Sequence, residues 1–126
     1  MGIKHLLDSN VIIDFCNGKL PVAGRKLLEA TEPEMSIITQ IELFATTNIT
    51  REEFSLLEQF TAISVVHPVT TDLVTTTIKI RQEYRLKLPD AIIAATAIVH
   101  NIPLISRNSS DFKKVNELVL IDPYFI

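Results

Sequence analysis

A chain of 126 residues with 47% hydrophobic and 21% charged residues is sized for one compact domain, residues 1–126, able to bury about two thirds of the surface its unfolded form exposes. The formal net charge of −3 argues against nucleic-acid binding through bulk electrostatics alone, and the lone Cys16 excludes an internal disulfide. A single thiol, a start without a charged-then-apolar leader and no apolar run near about eighteen residues point to a reduced, cytoplasmic protein without a membrane span.

The elements alternate along the chain. Ile3 to Leu7 is a short apolar strand ending in Asp8-Ser9-Asn10, and Val11, Ile12 and Phe15 then carry helical spacing up to a turn at Asn17-Gly18. Pro21 opens a second helix through Leu27, Leu28 and Ala30. Met35 to Ile38 reads as the next strand, bounded by Glu32-Pro33 and Thr39, and the helix beyond it carries Glu42. Thr50-Arg51-Glu52-Glu53 has the form of a capping box ahead of a helix with Phe54, Leu57 and Phe60 on its apolar side. Ile63 to Val66 reads as strand and Val69 to Arg85 as helix, the threonines of the latter notwithstanding. Pro89 suits the first turn of a helix that is apolar on every side from Ala91 to His100, so neighbours must cover several of its faces. Pro103 to Ser106 and Val119 to Ile121 are short strands. The alternation predicts an α/β fold, a three-layer α/β/α sandwich on a short, mostly parallel sheet.

Three acids lie where this pattern is most apolar. Asp90 is the only charge between Leu88 and Asn101, while Asp8 follows the first strand and Glu42 lies on the helix after the second. Each has a structural explanation. Asp8 suits a turn or helix cap, Glu42 can return a hydrogen bond to Thr39 in a capping box, and Asp90 is a first-turn acid favoured by the helix dipole. Ligands in such folds gather at the carboxyl ends of the strands, which is where all three fall. Brought together there, they would repel and their pKa values would rise unless a divalent cation neutralised them. Oxygen-only ligands suit Mg²⁺ or Mn²⁺, and dispersed single acids suit Mg²⁺, which keeps several waters. Arg81, Arg85, Lys87, Arg107, Lys113 and Lys114 are candidate basic residues for the rim of such a pocket or ordinary solvated charges.

Four ordered segments carry a resemblance: Leu6 to Asp14, Ser36 to Ala45, Leu88 to Ala97 and Leu104 to Phe112. Over nearly its full length the chain resembles PIN-domain nucleases, and among them the VapC-like toxins of toxin–antitoxin pairs. The resemblance implies a metal-dependent endoribonuclease of PIN-like fold with Asp8, Glu42 and Asp90 as its acidic centre, Asp8 and Asp90 being the metal ligands. It also implies an RNA substrate, a cognate antitoxin and a homodimer, for which Phe44, Phe60 and the tail from Leu120 to Ile126 offer apolar surface. Asn108 stands where many members carry an acid. Asp111, one turn into a short helix capped by Asn108, is the candidate substitute, with a helix-terminal acid as its structural alternative. Asn10 and Thr39 are outer candidates or helix caps.

Other chemistries find little support. His5, His67 and His100 lack metal-ligand spacing, and no phosphate-binding glycine loop or nucleophile elbow is present. A phosphoacceptor receiver domain has similar length and an acidic pocket, but it needs a late Lys before Pro, and here Lys113-Lys114 precede Val115. An inactive binding or scaffold module that keeps the pocket for packing is the remaining alternative.

Overall fold

The computed structural model describes residues 2–126. Five parallel strands are ordered β3-β2-β1-β4-β5, where β1 is Ile3–Leu7, β2 Thr31–Ser36, β3 Val65–His67, β4 Leu104–Ile105 and β5 Leu120–Ile121. The chain builds outward from β1 through β2 to β3, then returns to the other side of β1 for β4 and β5. That reversal puts a topological switch point, the usual ligand crevice of an open parallel sheet, between β1 and β4.

Successive strand residues point to opposite faces, so neighbours in sequence enter different cores. Leu6 and Leu104 join α5 (Thr71–Glu83) and α6 (Leu88–His100) on one face, around Leu73, Ile80, Ile93, Ala94 and Ala97. Leu7, Met35 and Ile105 join α1 (Ser9–Cys16), α2 (Val22–Ala30), α3 (Ile37–Ala45) and α4 (Arg51–Ala62) on the other, around Val11, Ile12, Leu28, Leu43 and Leu57. The three-layer sandwich with a parallel sheet is therefore the observed architecture. Where both faces are covered the strands carry adjacent apolar residues, as at Leu6-Leu7 and Leu104-Ile105, whereas β2 carries Glu32, Pro33 and Glu34.

Helix α6 is enclosed as its composition requires, with Ala91 and every residue from Ile93 to Ala97 buried. Alanine at four of these positions lets neighbouring elements approach closely. The helix ends on Asn101 in the left-handed region at φ 54°, a conformation asparagine tolerates. The Thr50–Glu53 capping box forms in both directions.

Several boundaries differ from the sequence reading. Strand β2 ends at Ser36 and begins at Thr31, so it contains Pro33. Pro33 lies opposite His5 in the β1 ladder but outside the β3 ladder, which takes only Glu34, Met35 and Ser36, so on that side β2 is an edge at Pro33, where proline is tolerated. Ile37 and Ile38 are helical because the Ser36 hydroxyl accepts the Ile38 amide at 3.1 Å. Thr39 is consequently inside α3 and caps nothing, and the expected Thr39–Glu42 box does not form. Strand β3 is shifted to end at His67, since Ile63 closes α4. Phe60, expected as interface, is buried against Phe15 with ring centroids 5.8 Å apart, and Phe44 packs edge-on to Phe54.

The histidines, distant in sequence, are not all separate in space. The His67 and His100 rings stack at 3.7 Å, and His67 Nε2 lies 2.5 Å from Oε1 of the buried Glu34. His5 is buried beside Thr31, 3.0 Å from its hydroxyl.

Candidate active site

Asp8 directly follows β1, and its backbone N–H still donates to Ile105 O at 3.0 Å, so the residue is registered by the central ladder. Its φ of −80° and ψ of 156° place it as the N-cap of α1, with Oδ1 accepting the Ser9 amide at 2.8 Å. Cap and acid are thus the same side chain. Oδ2 accepts the hydroxyl of Ser106, the residue that follows β4, also at 2.8 Å. Ser106 is fully buried and in turn accepts the Asn108 amide at 3.0 Å. Two strand ends across the switch point are tied through one carboxylate.

Glu42, freed from capping, projects from α3 to this edge, where Ser9 Oγ donates to its Oε1 at 3.4 Å. Asp90 opens α6 from its first turn, half-buried, and Oδ2 accepts Asn108 Nδ2 at 3.5 Å. Asp111 lies on the short helix α7, Ser109–Phe112, and pairs with Lys114 at 3.8 Å. Asn108 occupies the N-cap position of α7, but its side chain makes no cap bond there, because it is turned to Asp90.

The acids feel one another. Burial raises the Asp8 carboxyl above its ordinary value, and hydrogen bonds from Ser106 and Ser9 with the charge of Arg107 offset part of the rise. Burial followed by the charge of Asp8 raises Glu42, and Asp90 adds to it. Asp90 is raised by burial, then by Asp8 and Asp111, against a weaker pull from Lys87. The charge of Asp8 thus raises both Glu42 and Asp90, which puts three carboxylates in one locale without enough positive charge to neutralise them. Of the rim cations, Arg107 and Lys87 act on this locale, and Lys114 is engaged by Asp111.

Two of the outer candidates differ in placement. Asn10 is exposed on α1, and among the described residues no hydrogen bond joins its side chain to the acids. Thr39 is fully buried one turn before Glu42, and its hydroxyl has no partner among the described residues. Ser106 and Ser9 were not singled out as pocket residues from sequence. Serine has too many ordinary roles to signal alone, and only the adjacency of β1 and β4 places Ser106 on Asp8.

The donor set is all oxygen. Among the described residues no group of three or more His, Cys, Asp or Glu side chains is positioned to hold one ion unaided. An ion held by one or two carboxylates and completed by water does not need such a group, and Mg²⁺ commonly binds in that way.

Residues 5–118 match the PIN domain family. The chain belongs to the PIN-domain family. This PIN domain is similar to a chain in a toxin–antitoxin complex from Klebsiella pneumoniae, at 31% identity over 97% of this chain and 99% of that one, with a TM-score of 0.76. Two further chains share the fold. One, from VapBC of Salmonella typhimurium bound to DNA, has a TM-score of 0.82 at 22% identity, covering 95% of this chain and 98% of that one. The other, from VapBC2 of Rickettsia felis bound to a fragment of promoter DNA, has a TM-score of 0.80 at 21% identity, covering 94% and 98%. No curated protein sequence matched the chain. The family match sets aside the receiver-domain alternative, and among the described residues no helix of this PIN domain is long and apolar enough to cross a membrane.

Proposed function

We propose that this PIN domain, residues 1–126 acting as one unit, is a metal-dependent endoribonuclease and the toxin of a cytoplasmic toxin–antitoxin pair. The observation that carries the reading is the convergence of Asp8, Glu42 and Asp90 at the switch point, all three carboxyls pushed up by burial, and Glu42 and Asp90 also by the charge of Asp8. An apolar core does not by itself call for three mutually repelling acids, and a bound cation relieves the repulsion.

Asp8 and Asp90 would hold Mg²⁺ or Mn²⁺, the first oriented by Ser106 and Ser9, the second by Asn108. Held there, such an ion would supply positive charge at the phosphate and lower the pKa of water. Glu42, the most open of the three, orients the attacking water and accepts its proton at Oε2, because Oε1 already faces the Ser9 hydroxyl. The water oxygen bonds to phosphorus as one phosphodiester P–O bond breaks, and the departing oxygen takes a proton from solvent. Asp111 contributes charge from the outer edge, Thr39 offers a buried hydroxyl behind Glu42, and Asn10 remains at the mouth. Asn108 supplies an amide where an acid would be expected, which favours one tightly held ion over two.

The partners that follow are an RNA substrate, an antitoxin that covers the acidic pocket, and a second copy of this chain. For the homodimer, an apolar groove of about 200 Å³ between α5 and α6, lined by Val69, Leu73, Val74, Ile78, Leu88 and Ile92, replaces the buried Phe60 as the available surface.

The deciding experiment incubates wild-type and Asp90→Asn protein, stripped of copurified partner, with mixed RNA in Mg²⁺, Mn²⁺ or chelator. Cleavage by wild-type alone, abolished by chelator, is expected. Equal cleavage by both proteins would overturn the site, and calorimetry showing no Mg²⁺ or Mn²⁺ uptake by the wild type would favour the inactive scaffold.

A further inference from the structure

Arg107 is held in an unusual way for a surface cation. Its Nη1 lies 3.4 Å from Asp14 Oδ2, and its Cζ sits over the Tyr124 ring, 5.9 Å from the centroid. The Tyr124 hydroxyl donates to the same Asp14 oxygen, so α1 and the C-terminal tail meet at this guanidinium. Asp14 is largely buried, with a side chain 17% exposed, while Arg107 keeps 53% of its side chain open to solvent. Two groups therefore restrain the arginine while about half of its side chain stays open to solvent. A guanidinium has five N–H donors in a planar fork, and the Asp14 contact uses one of them.

Position gives the free donors a direction of use. Arg107 directly follows Ser106, the residue whose hydroxyl holds Asp8, and its charge reaches both Asp8 and Asp122. Lys87 acts on Asp90. Arg107 is thus a fixed cation at the Asp8 edge of a pocket otherwise lined by acids. Ordering a long side chain costs rotamer entropy that a solvated surface charge does not repay, and an exposed ion pair contributes little.

We propose that Arg107, pre-set by Asp14 and Tyr124, is a positioning residue that grips an RNA backbone phosphate flanking the scissile one. Phosphate suits the planar fork, which can donate two parallel hydrogen bonds to it. A chain of net charge −3 gains from a local cation at the point where polyanion and acidic pocket meet. The inference rests on the ribonuclease reading and extends it to substrate placement.

The test measures binding of a mixed-sequence single-stranded RNA oligonucleotide in Mg²⁺ across a salt series, using Asp90→Asn protein to suppress cleavage. Adding Arg107→Ala is expected to weaken binding about tenfold and to lower the slope of log affinity against log salt by about 0.7, the loss of one phosphate contact on a single strand. Arg107→Lys restores the slope without the full affinity, since a point charge cannot form the fork. Tyr124→Phe keeps the ring, frees Asp14 and weakens binding with the slope unchanged. In the cleaving protein, Arg107→Ala raises KM more than it lowers kcat. Unchanged affinity and slope in Arg107→Ala, with only a lower Tm, would overturn the proposal and leave Arg107 as a latch between α1 and the tail. An Asp90→Asn protein that binds no RNA, together with a wild type that cleaves none, would instead bring down the ribonuclease reading beneath it.

Discussion

Ser106 Oγ donates to Asp8 Oδ2 at 2.8 Å across 98 residues of sequence, joining the ends of the two strands that flank the switch point. The bond fixes the rotamer of a buried carboxylate, and it gives the Ser106 oxygen the geometry to accept the Asn108 amide.

Replacing Ser106 by alanine leaves a buried acceptor on Asp8 and an amide on Asn108 without their partner. The expected stability loss is about 1 to 3 kcal/mol, measured by urea unfolding. Mn²⁺ affinity should fall about tenfold or more by calorimetry, the usual effect of losing a group that orients a ligand. Wild-type affinity in this variant would mean that Asp8 is not held by Ser106 when the ion binds.

Asp90 ties stability to pH. Its folded pKa is raised by burial and by the charges of Asp8 and Asp111, whereas in the unfolded chain it returns to its ordinary value near about 4. A raised folded pKa contributes stability that is fully present below the unfolded value and is lost as pH rises through the folded one. Asp8 and Glu42 carry the same sign. His5 and His100, lowered chiefly by burial, act in the opposite direction as pH falls through the histidine range. These histidine contributions are common to both proteins and drop out of a comparison. In chelator, Asp90→Asn should melt above wild type at pH 7, with the gap closing towards pH 4. Mg²⁺ should then raise the wild-type Tm more than that of the variant. A gap that is constant with pH would mean that charge repulsion does not set it.

Gly24 is a helix interior position at which alanine would ordinarily stabilise by about 0.5 to 1 kcal/mol. Here a Cβ would stand 2.3 Å from the carbonyl oxygen of Pro123, and backbone cannot give way as a side-chain tip can. Gly24→Ala should therefore destabilise, by about 1 to 3 kcal/mol on the scale of overpacked cores, and should displace the tail that carries Tyr124. Thermal unfolding checks the sign, and faster exchange of the Tyr124 and Phe125 amides checks the displacement.

Glu34 is buried and paired with His67, whose ring stacks on His100. His67→Ala removes the hydrogen-bond partner of the buried Glu34 carboxyl, and leaving such a group unsatisfied costs about 1 to 3 kcal/mol. Adding Glu34→Gln replaces the stranded carboxyl by an amide, so the double variant should be more stable than His67→Ala alone. Additive losses in that double-mutant cycle would mean the two side chains do not interact.

The periodicities of 2 and 3.6 residues along the chain carry the order of elements, the parallel sheet and the enclosure of α6 around Ala91 and Ile93 to Ala97, because burial imposes them residue by residue. The boundaries that slipped did so where a single side chain decided. Ser36 rather than Thr39 caps α3, a choice between two ordinary cap formers that depends on where β2 stops pairing with β3. That three-residue shift is also what releases Glu42 from the backbone to face Asp8.

Asp8 and Asp90 at the edges of apolar elements and Glu42 within the apolar helix after β2 are visible in one dimension, since an isolated acid in an apolar run stands out. Which neutral groups hold them depends on how distant segments fold together. Ser106 on Asp8, Asn108 turned from its helix to Asp90, and Arg107 pinned between Asp14 and Tyr124 are contacts between segments far apart in the chain. Their residue types are common, and hydrogen bonds of this kind act over about 3 Å, a range that strand pairing brings into reach and sequence spacing does not encode.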